Sequence, residues 1–272
     1  MLVLKKIKES LKTISYIETI AQVYQEVAKI RMNQIRESVL KTREFIEELL
    51  KIYGTIKSAY PVKIFFKKKK RVLVYLSSNE RFYGTLIFDI WKEVEKYLSE
   101  KEGDLVVVGR MGKYLAEKSG FGLKFYYFEL DDENPNIKEI RKIFNFIKNY
   151  EEILIFHGKF KTVLTQQVAI TNISGIEIEK EKLIKKKTYY LFEPSPEEIL
   201  KFFEEELLFS FFYQTLWEHQ LSRYATRLIQ MHQAQKNAQK LKEIMKKEQE
   251  KIKRKIYNKK QIEQFFSQKL WI

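Results

Sequence analysis

The chain of 272 residues contains no cysteine, so it has neither a disulfide framework nor a thiolate metal site, which fits a reducing compartment. Proline and glycine are scarce, four and nine residues, and that shortage excludes an all-β fold, which needs a turn roughly every ten residues. No apolar run approaches the ~18 residues of a membrane span, and the N-terminus lacks the apolar block of a secretory signal, so the expectation is a soluble, intracellular protein. Phosphate loops are missing too. Neither G-x-x-x-x-G-K-[ST] nor G-x-G-x-x-G occurs, and Gly109-Arg110-Met111-Gly112 reads as a tight strand-to-helix turn. The only histidines are His157, His219 and His232; the last two, thirteen residues apart on one helix, fall on nearly opposite sides and cannot share a metal. Glu197/Glu198 and Asp131/Asp132 sit in helix-start and loop contexts that suit capping and solvation better than acid–base chemistry. These absences predict a non-catalytic chain with no cofactor and no metal.

Charge and helix are what the sequence has in quantity. Lys and Arg number 51 against 36 Asp and Glu, a net +15 that calls for an acidic partner: nucleic acid, an anionic membrane surface or an acidic protein surface. From Glu197 to Ile272 there is no Pro or Gly, and one helix of that length would reach roughly 110 Å. Its apolar positions Trp217, Leu221, Tyr224, Leu228, Met231, Ala234, Ala238, Leu241 and Met245, then Ile252 and Ile256 after a polar step at Glu248, alternate threes and fours, the seam of a left-handed coiled coil. The small Ala234 and Ala238 would let a partner helix approach closely.

That partner lies at the other end of the chain. Leu2 to about Ser58 has no Pro and only Gly54, and Ile7, Leu11, Ile14, Ile17, Ala21, Tyr24, Ala28, Ile35, Val39, Ile46, Leu49 and Tyr53 repeat with the same period. Residues 1–58 and 197–272 are therefore expected to zip into an antiparallel coiled coil. Between them, 70–193 reads as an inserted Rossmann-like α/β domain, giving an α+α/β fold class. Tyr60-Pro61 stops the first helix, and the basic run Lys67 to Arg71 reads as a solvated loop. Buried-type strands at Val72–Leu76, Leu105–Val108, Leu123–Phe128 and Ile153–His157 alternate with helices at Thr85–Leu98, Gly109–Lys118 and Ile137–Lys148, and Gly120/Gly122 supply a turn. Val163–Ile173 and Thr188–Phe192 read as further strands around a charged excursion at Glu177–Lys187. Ser195 as N-cap, Pro196 at the first helical position and Glu197/Glu198 against the dipole open the last helix.

The stretch E-H-Q-L-S-R-Y-A-T-R-L-I-Q-M-H-Q-A-Q-K-N-A carries Glu218, Ser222, Ala225, Arg227, Met231, Ala234, Asn237 and Ala238 in register with E-x-x-A-S-E-x-A-A-R-M-x-A-M-x-x-A-T-x-N-A. Other anchors follow in order: Leu4-Lys5-Lys6-Ile7-Lys8 near the start, Val27-Ala28-Lys29-Ile30-Arg31-Met32, Ser77-Ser78-Asn79-Glu80-Arg81-Phe82-Tyr83-Gly84, Val108-Gly109-Arg110-Met111-Gly112 and Glu193-Pro194-Ser195-Pro196. In these stretches the chain resembles, over essentially its whole length, the gamma subunit of the F-type ATP synthase, the rotor shaft inside the alpha/beta ring.

The resemblance implies a non-catalytic central stalk of a proton-translocating synthase, with catalysis on beta. It implies alpha and beta subunits around the shaft, the epsilon subunit and the membrane c-ring at the globular foot, no nucleic acid and no direct membrane span. The location it implies is the cell membrane, peripheral, on the cytoplasmic side. Residues implied to meet other subunits are Gln22, Tyr24, Arg31, Arg227, Met231, Asn237, Lys253, Arg254, Lys260 and Glu263, with an apolar tip of Phe265, Phe266, Leu270 and Trp271. Departures are local. The family's K-A-M aligns with Gln22-Val23-Tyr24, and Arg254 and Lys260 replace a glutamine and a glutamate. Two competing readings are a paralogous rotor not coupled to ion transport, and a basic coiled-coil protein that binds nucleic acid, for which no recognition motif is present.

Overall fold

The computed structural model describes residues 2–59, 71–100, 102–119, 124–174 and 195–269. Several expectations lie outside them: the Tyr60-Pro61 stop, the lysines of the 67–71 run, the Gly120/Gly122 turn, the Glu177–Lys187 excursion, the strand Thr188–Phe192, Glu193-Pro194, and Leu270 and Trp271 of the tip.

Long N- and C-terminal helices flank a central mixed-sheet domain. Helix α1 spans Leu2–Ala59, unbroken because its only helix breaker is Gly54. Strand β1 (Arg71–Leu76), α2 (Leu86–Glu100), β2 (Asp104–Val108), α3 (Arg110–Lys118), β3 (Phe125–Phe128), α4 (Ile137–Ile147), β4 (Glu152–Phe160) and β5 (Gln166–Asn172) follow, and α5 runs from Pro196 to Lys269. The start of α5 is the one its sequence specifies: Ser195 Oγ accepts the Glu198 N–H at 3.2 Å, ahead of a first turn carrying Glu197 and Glu198.

The chain forms two compact units, Met1–Ala28 with Leu228–Ile272, and Lys29–Arg227. In the first, α1 buries Ile7, Ile14, Ala21 and Ala28, a strict seven-residue repeat, while α5 buries Met231 and Ala238 with Lys242, Met245, Gln249, Ile252 and Ile256 half-buried after them. The phase differs from the expected one at three places. Ile17 and Leu241 are about half exposed, and Tyr24 is 37% exposed. Their seam positions are taken by Glu18, Lys242 and Gln25, and the ion pair between Glu18 and Lys242, at 2.7 Å, is the physical reason at two of them.

In the second unit the sheet order is β3-β2-β1-β4-β5; the first three pairings are parallel and β5 runs antiparallel to β4. Val163 and Leu164 belong to the β4–β5 turn and not to the strand expected from Val163, because Lys161 and Thr165 close a hairpin there. Period-two alternation sorts the central strands onto two faces. Leu73, Tyr75, Leu105, Val107, Leu154 and Phe156 pack under α2 and α3. Val72, Val74, Val106, Val108, Ile153 and Ile155 pack under α4 and under Phe209, Phe212 and Leu216 of α5. So α5 serves as a core helix of this unit, and from His219 to Arg227 every residue is buried. At its start, Leu200 and Leu207 pack with Leu49, Tyr53 and Ile56 of α1. The run Glu204-Glu205-Glu206 bonds in three directions: to Tyr53 of α1, to Lys148, and to Arg141 of α4. Burial first, then Glu204, raises the Tyr53 phenol well above its ordinary range.

Candidate functional site

Three of the motifs that stand apart in sequence meet at the carboxyl ends of β1 and β2. The first two explain each other. Ser77 Oγ donates to Val108 O at 2.7 Å and accepts the Gly112 N–H at 2.8 Å; Met111 N–H donates to Ser78 O at 2.8 Å and Arg110 N–H to Asn79 Oδ1 at 3.0 Å. The amide donors that open α3, which in other α/β domains hold a phosphate, are thus bonded within the chain. The glycines allow this approach. Gly109 sits at φ 98°, and a Cβ on Gly112 would lie 2.6 Å from Ser77 Oγ and 2.7 Å from Val107 Cγ1. Gly112→Ala is expected to lower stability by about 2–3 kcal/mol, read as a fall of several degrees in Tm, because neither neighbour is a flexible chain end.

The third motif is the last-helix signature, which clamps the loop after β1. Asp132 Oδ2 accepts the N–H groups of Asn79 and Glu80, both at 2.8 Å, and Asp132 Oδ1 takes Arg223 Nη1 at 2.5 Å. The pair is shielded from water, with side chains 7% and 6% exposed. Arg223 also donates to Ser77 O, and Gln220 Nε2 donates to Asp132 O at 2.7 Å. Four residues on, Arg227 is 1% exposed; it donates to Glu80 Oε2 at 2.5 Å and to Arg81 O, with its guanidinium 4.2 Å from the Tyr83 ring centre. Held at both ends, the loop keeps Phe82 at φ 74°, a left-handed conformation rare for a bulky residue.

His219 joins neighbouring strands. Its Nδ1 accepts the Gly158 N–H of β4 at 3.0 Å and its Nε2 donates to Ser77 O, at the end of β1, at 3.1 Å. These partners require the neutral Nε2–H tautomer. Chain order reverses direction across the sheet between β1 and β4, the crevice in which open α/β sheets receive ligands, and here α5 fills it with an imidazole. Burial, then the Arg223 charge, pushes the His219 pKa well down. His157 donates through Nδ1 to Gly158 O and accepts from Thr171 Oγ1 through Nε2, and burial draws its pKa down to about 4. The arrangement couples two neighbouring strands of the sheet to α5.

The expected contact residues separate into two sets. Arg31 and Arg227 turn inward: Arg31 Nη2 pairs with Glu133 at 3.1 Å, so both arginines tie a long helix to the sheet domain. Met231 is buried in the helix seam. Gln22, Tyr24, Asn237, Lys253, Arg254, Lys260, Glu263, Phe265 and Phe266 face outward; Asn237 accepts from Gln233 and Glu263 pairs with Lys259 on the same helix. Sequence reading missed Asp132, Arg223, Gln220 and His219. Asp132 looked like a solvated loop carboxylate, and the only signal for its partners was a group of polar residues, His219, Gln220, Ser222 and Arg223, after the mostly apolar stretch Leu207–Trp217.

A sequence model of the ATP synthase family matches residues 3–256. The ATP synthase gamma chain of Pelotomaculum thermopropionicum is 21% identical over 248 residues, covering 86% of this chain and 87% of the relative. The sodium ion specific ATP synthase gamma chain of Acetobacterium woodii is 23% identical, covering 85% and 86%. Among solved structures, the rotor of the Euglena gracilis mitochondrial ATP synthase superposes with a TM-score of 0.59 at 15% identity, covering 94% of this chain and 99% of that one. With the match running through both helices and the inserted domain, this chain is a divergent member of the ATP synthase gamma family.

Proposed function

We propose that the chain is the central-stalk rotor of a proton-translocating F-type ATP synthase, carrying torque between a membrane ring and a catalytic alpha/beta head. The observation that supports this most is the joining of two helices of 58 and 74 residues to one small sheet domain, in a chain matched by the family over residues 3–256. A torque-bearing shaft must not turn inside its foot. The buried clamp of Arg223, His219 and Arg227 on α5 against Asp132, Ser77 and Glu80 of the sheet domain, with Arg31 on α1, meets that need.

In this reading 1–58 and 197–272 form the stalk and 70–193 the foot, which would meet an epsilon subunit and the c-ring. The outward residues Gln22, Tyr24, Asn237, Lys253, Arg254, Lys260 and Glu263 would meet alpha and beta, with Phe265 and Phe266 leading an apolar tip. Arg31, Arg227 and Met231 would contribute by holding the shaft in shape. Exposed Lys253, Arg254 and Lys260 suit acidic loops on a surrounding head. Catalysis would lie on beta. Attachment to the membrane, on the cytoplasmic side, would come through the complex, since no helix among the described residues is long and apolar enough to cross one.

Ending the chain before Ile252 tests the reading. The assembled complex is expected to keep ATP hydrolysis while losing most ATP-driven proton pumping, with the sheet domain still folded by circular dichroism. Pumping per ATP equal to that of the full chain would refute a torque role for the tip.

A further inference from the structure

Between Ile14 and Ile30, α1 buries its less apolar side. Ile14, Ala21 and Ala28 are buried with Glu18 and Gln25 half-buried between them, whereas Tyr16, Ile17, Ile20, Val23, Tyr24 and Ile30 are exposed. At 100° per residue, turning α1 by about 50° about its own axis would keep Ile14, Ala21 and Ala28 at the seam and exchange Glu18 and Gln25 for Ile17 and Tyr24. Transfer of apolar surface from water favours the turned arrangement, and the small Ala21 and Ala28 obstruct neither.

The opposing interaction is specific and local. Lys242 Nζ lies 2.7 Å from Glu18 Oε2 and 3.4 Å from Ser15 Oγ, and Gln239 Nε2 donates to Glu18 Oε1 at 3.2 Å. The partner helix makes the same choice as α1, with Lys242 turned toward the seam and its neighbour Leu241 outward. The Lys242 and Gln239 hydrogen bonds hold the Glu18 carboxyl below its ordinary pKa. Gln25, one heptad along, has a buried Oε1 with no hydrogen-bond partner, so it opposes the observed phase, whereas the Glu18 cluster favours it.

We propose that the Glu18–Lys242 pair is a phase lock that fixes the rotation of α1 about its own axis and so keeps Ile17 and Tyr24 on the outer face of the helix pair. A single polar pair at a seam position selects one helix arrangement at a cost in apolar burial. The lock stands whether or not the rotor reading does, since it concerns only how these two helices face each other.

Because the chain has no cysteine, Ile17→Cys gives a single thiol whose maleimide labelling in the full chain reports which face is outward. Adding Lys242→Glu, which sets two carboxylates together, is expected to slow labelling about tenfold as the helix turns, with helicity retained by circular dichroism. The exchanged pair Glu18→Lys with Lys242→Glu is expected to restore the original rate. Labelling that is unchanged, or that speeds up with loss of helix, would overturn the lock and leave the pair as a merely stabilising contact. Failure of the exchanged pair to restore the rate would overturn it equally.

Discussion

Asp132→Ala will lower the unfolding free energy by about 3–5 kcal/mol, the largest loss expected from any single truncation in the clamp. The carboxylate does three tasks at once: it neutralises Arg223 and satisfies the amide N–H groups of Asn79 and Glu80. Alanine leaves a guanidinium whose side chain is 7% exposed beside one carbonyl acceptor, and two amides without a partner. Arg223→Met should cost less, because the carboxylate it strands still accepts both amides. Urea unfolding of the full chain, followed at 222 nm, gives both values. The single losses should not add in the double variant, since each removes the same ion pair. A loss under about 1 kcal/mol for Asp132→Ala would mean that water reaches the pair and that the clamp is a surface contact.

The parts legible in the sequence are those fixed by local pattern. The long helical spans, the α5 start at Ser195 and Pro196, and the alternation of β1, α2, β2, α3 all follow from period and capping, which act over a few residues. The seam phase at Ile17, Tyr24 and Leu241 was not legible for a physical reason. Periodicity ranks positions by hydrophobicity, whereas Glu18 and Lys242 are brought together by two helices whose residues lie far apart in the chain. The clamp was hidden in the same way. Gly109 to Gly112 read only as a tight strand-to-helix turn; that Ser77 and the loop after β1 seat α3 and α5 depends on Asp132 and Arg223, supplied from elsewhere in the chain. Arg227 is the instructive case. Its place in the family signature implied a contact with another subunit, whereas in the structure its charge pairs with Glu80 and ties α5 to the loop after β1.

Acid should loosen that fixing before it unfolds the stalk helices. His219 of the clamp and His157 beside it on β4 are both buried neutral: His157 falls from 6.5 to about 4, and His219 falls well below 6.5. The sign follows from linkage. Below pH 6.5 the unfolded chain binds protons at these imidazoles while the folded chain does not, so folded stability is full above pH 6.5 and declines as pH drops toward 4. For His157 alone the limiting loss is about 3 kcal/mol, from ~1.4 kcal/mol for each pH unit between the two values, and His219 adds to it in the same direction. Protonating His219 would also place a proton on Nδ1, opposite the Gly158 N–H that it now accepts, so the link between β4 and α5 must open for the charge to form. Stability measured from pH 7.5 to 4.5 should therefore fall more steeply in the wild-type chain than in His157→Gln, which keeps a donor and an acceptor but does not titrate. Equal slopes would show that His157 takes up its proton as readily in the fold as in the unfolded chain, and that water reaches its imidazole between β4 and β5.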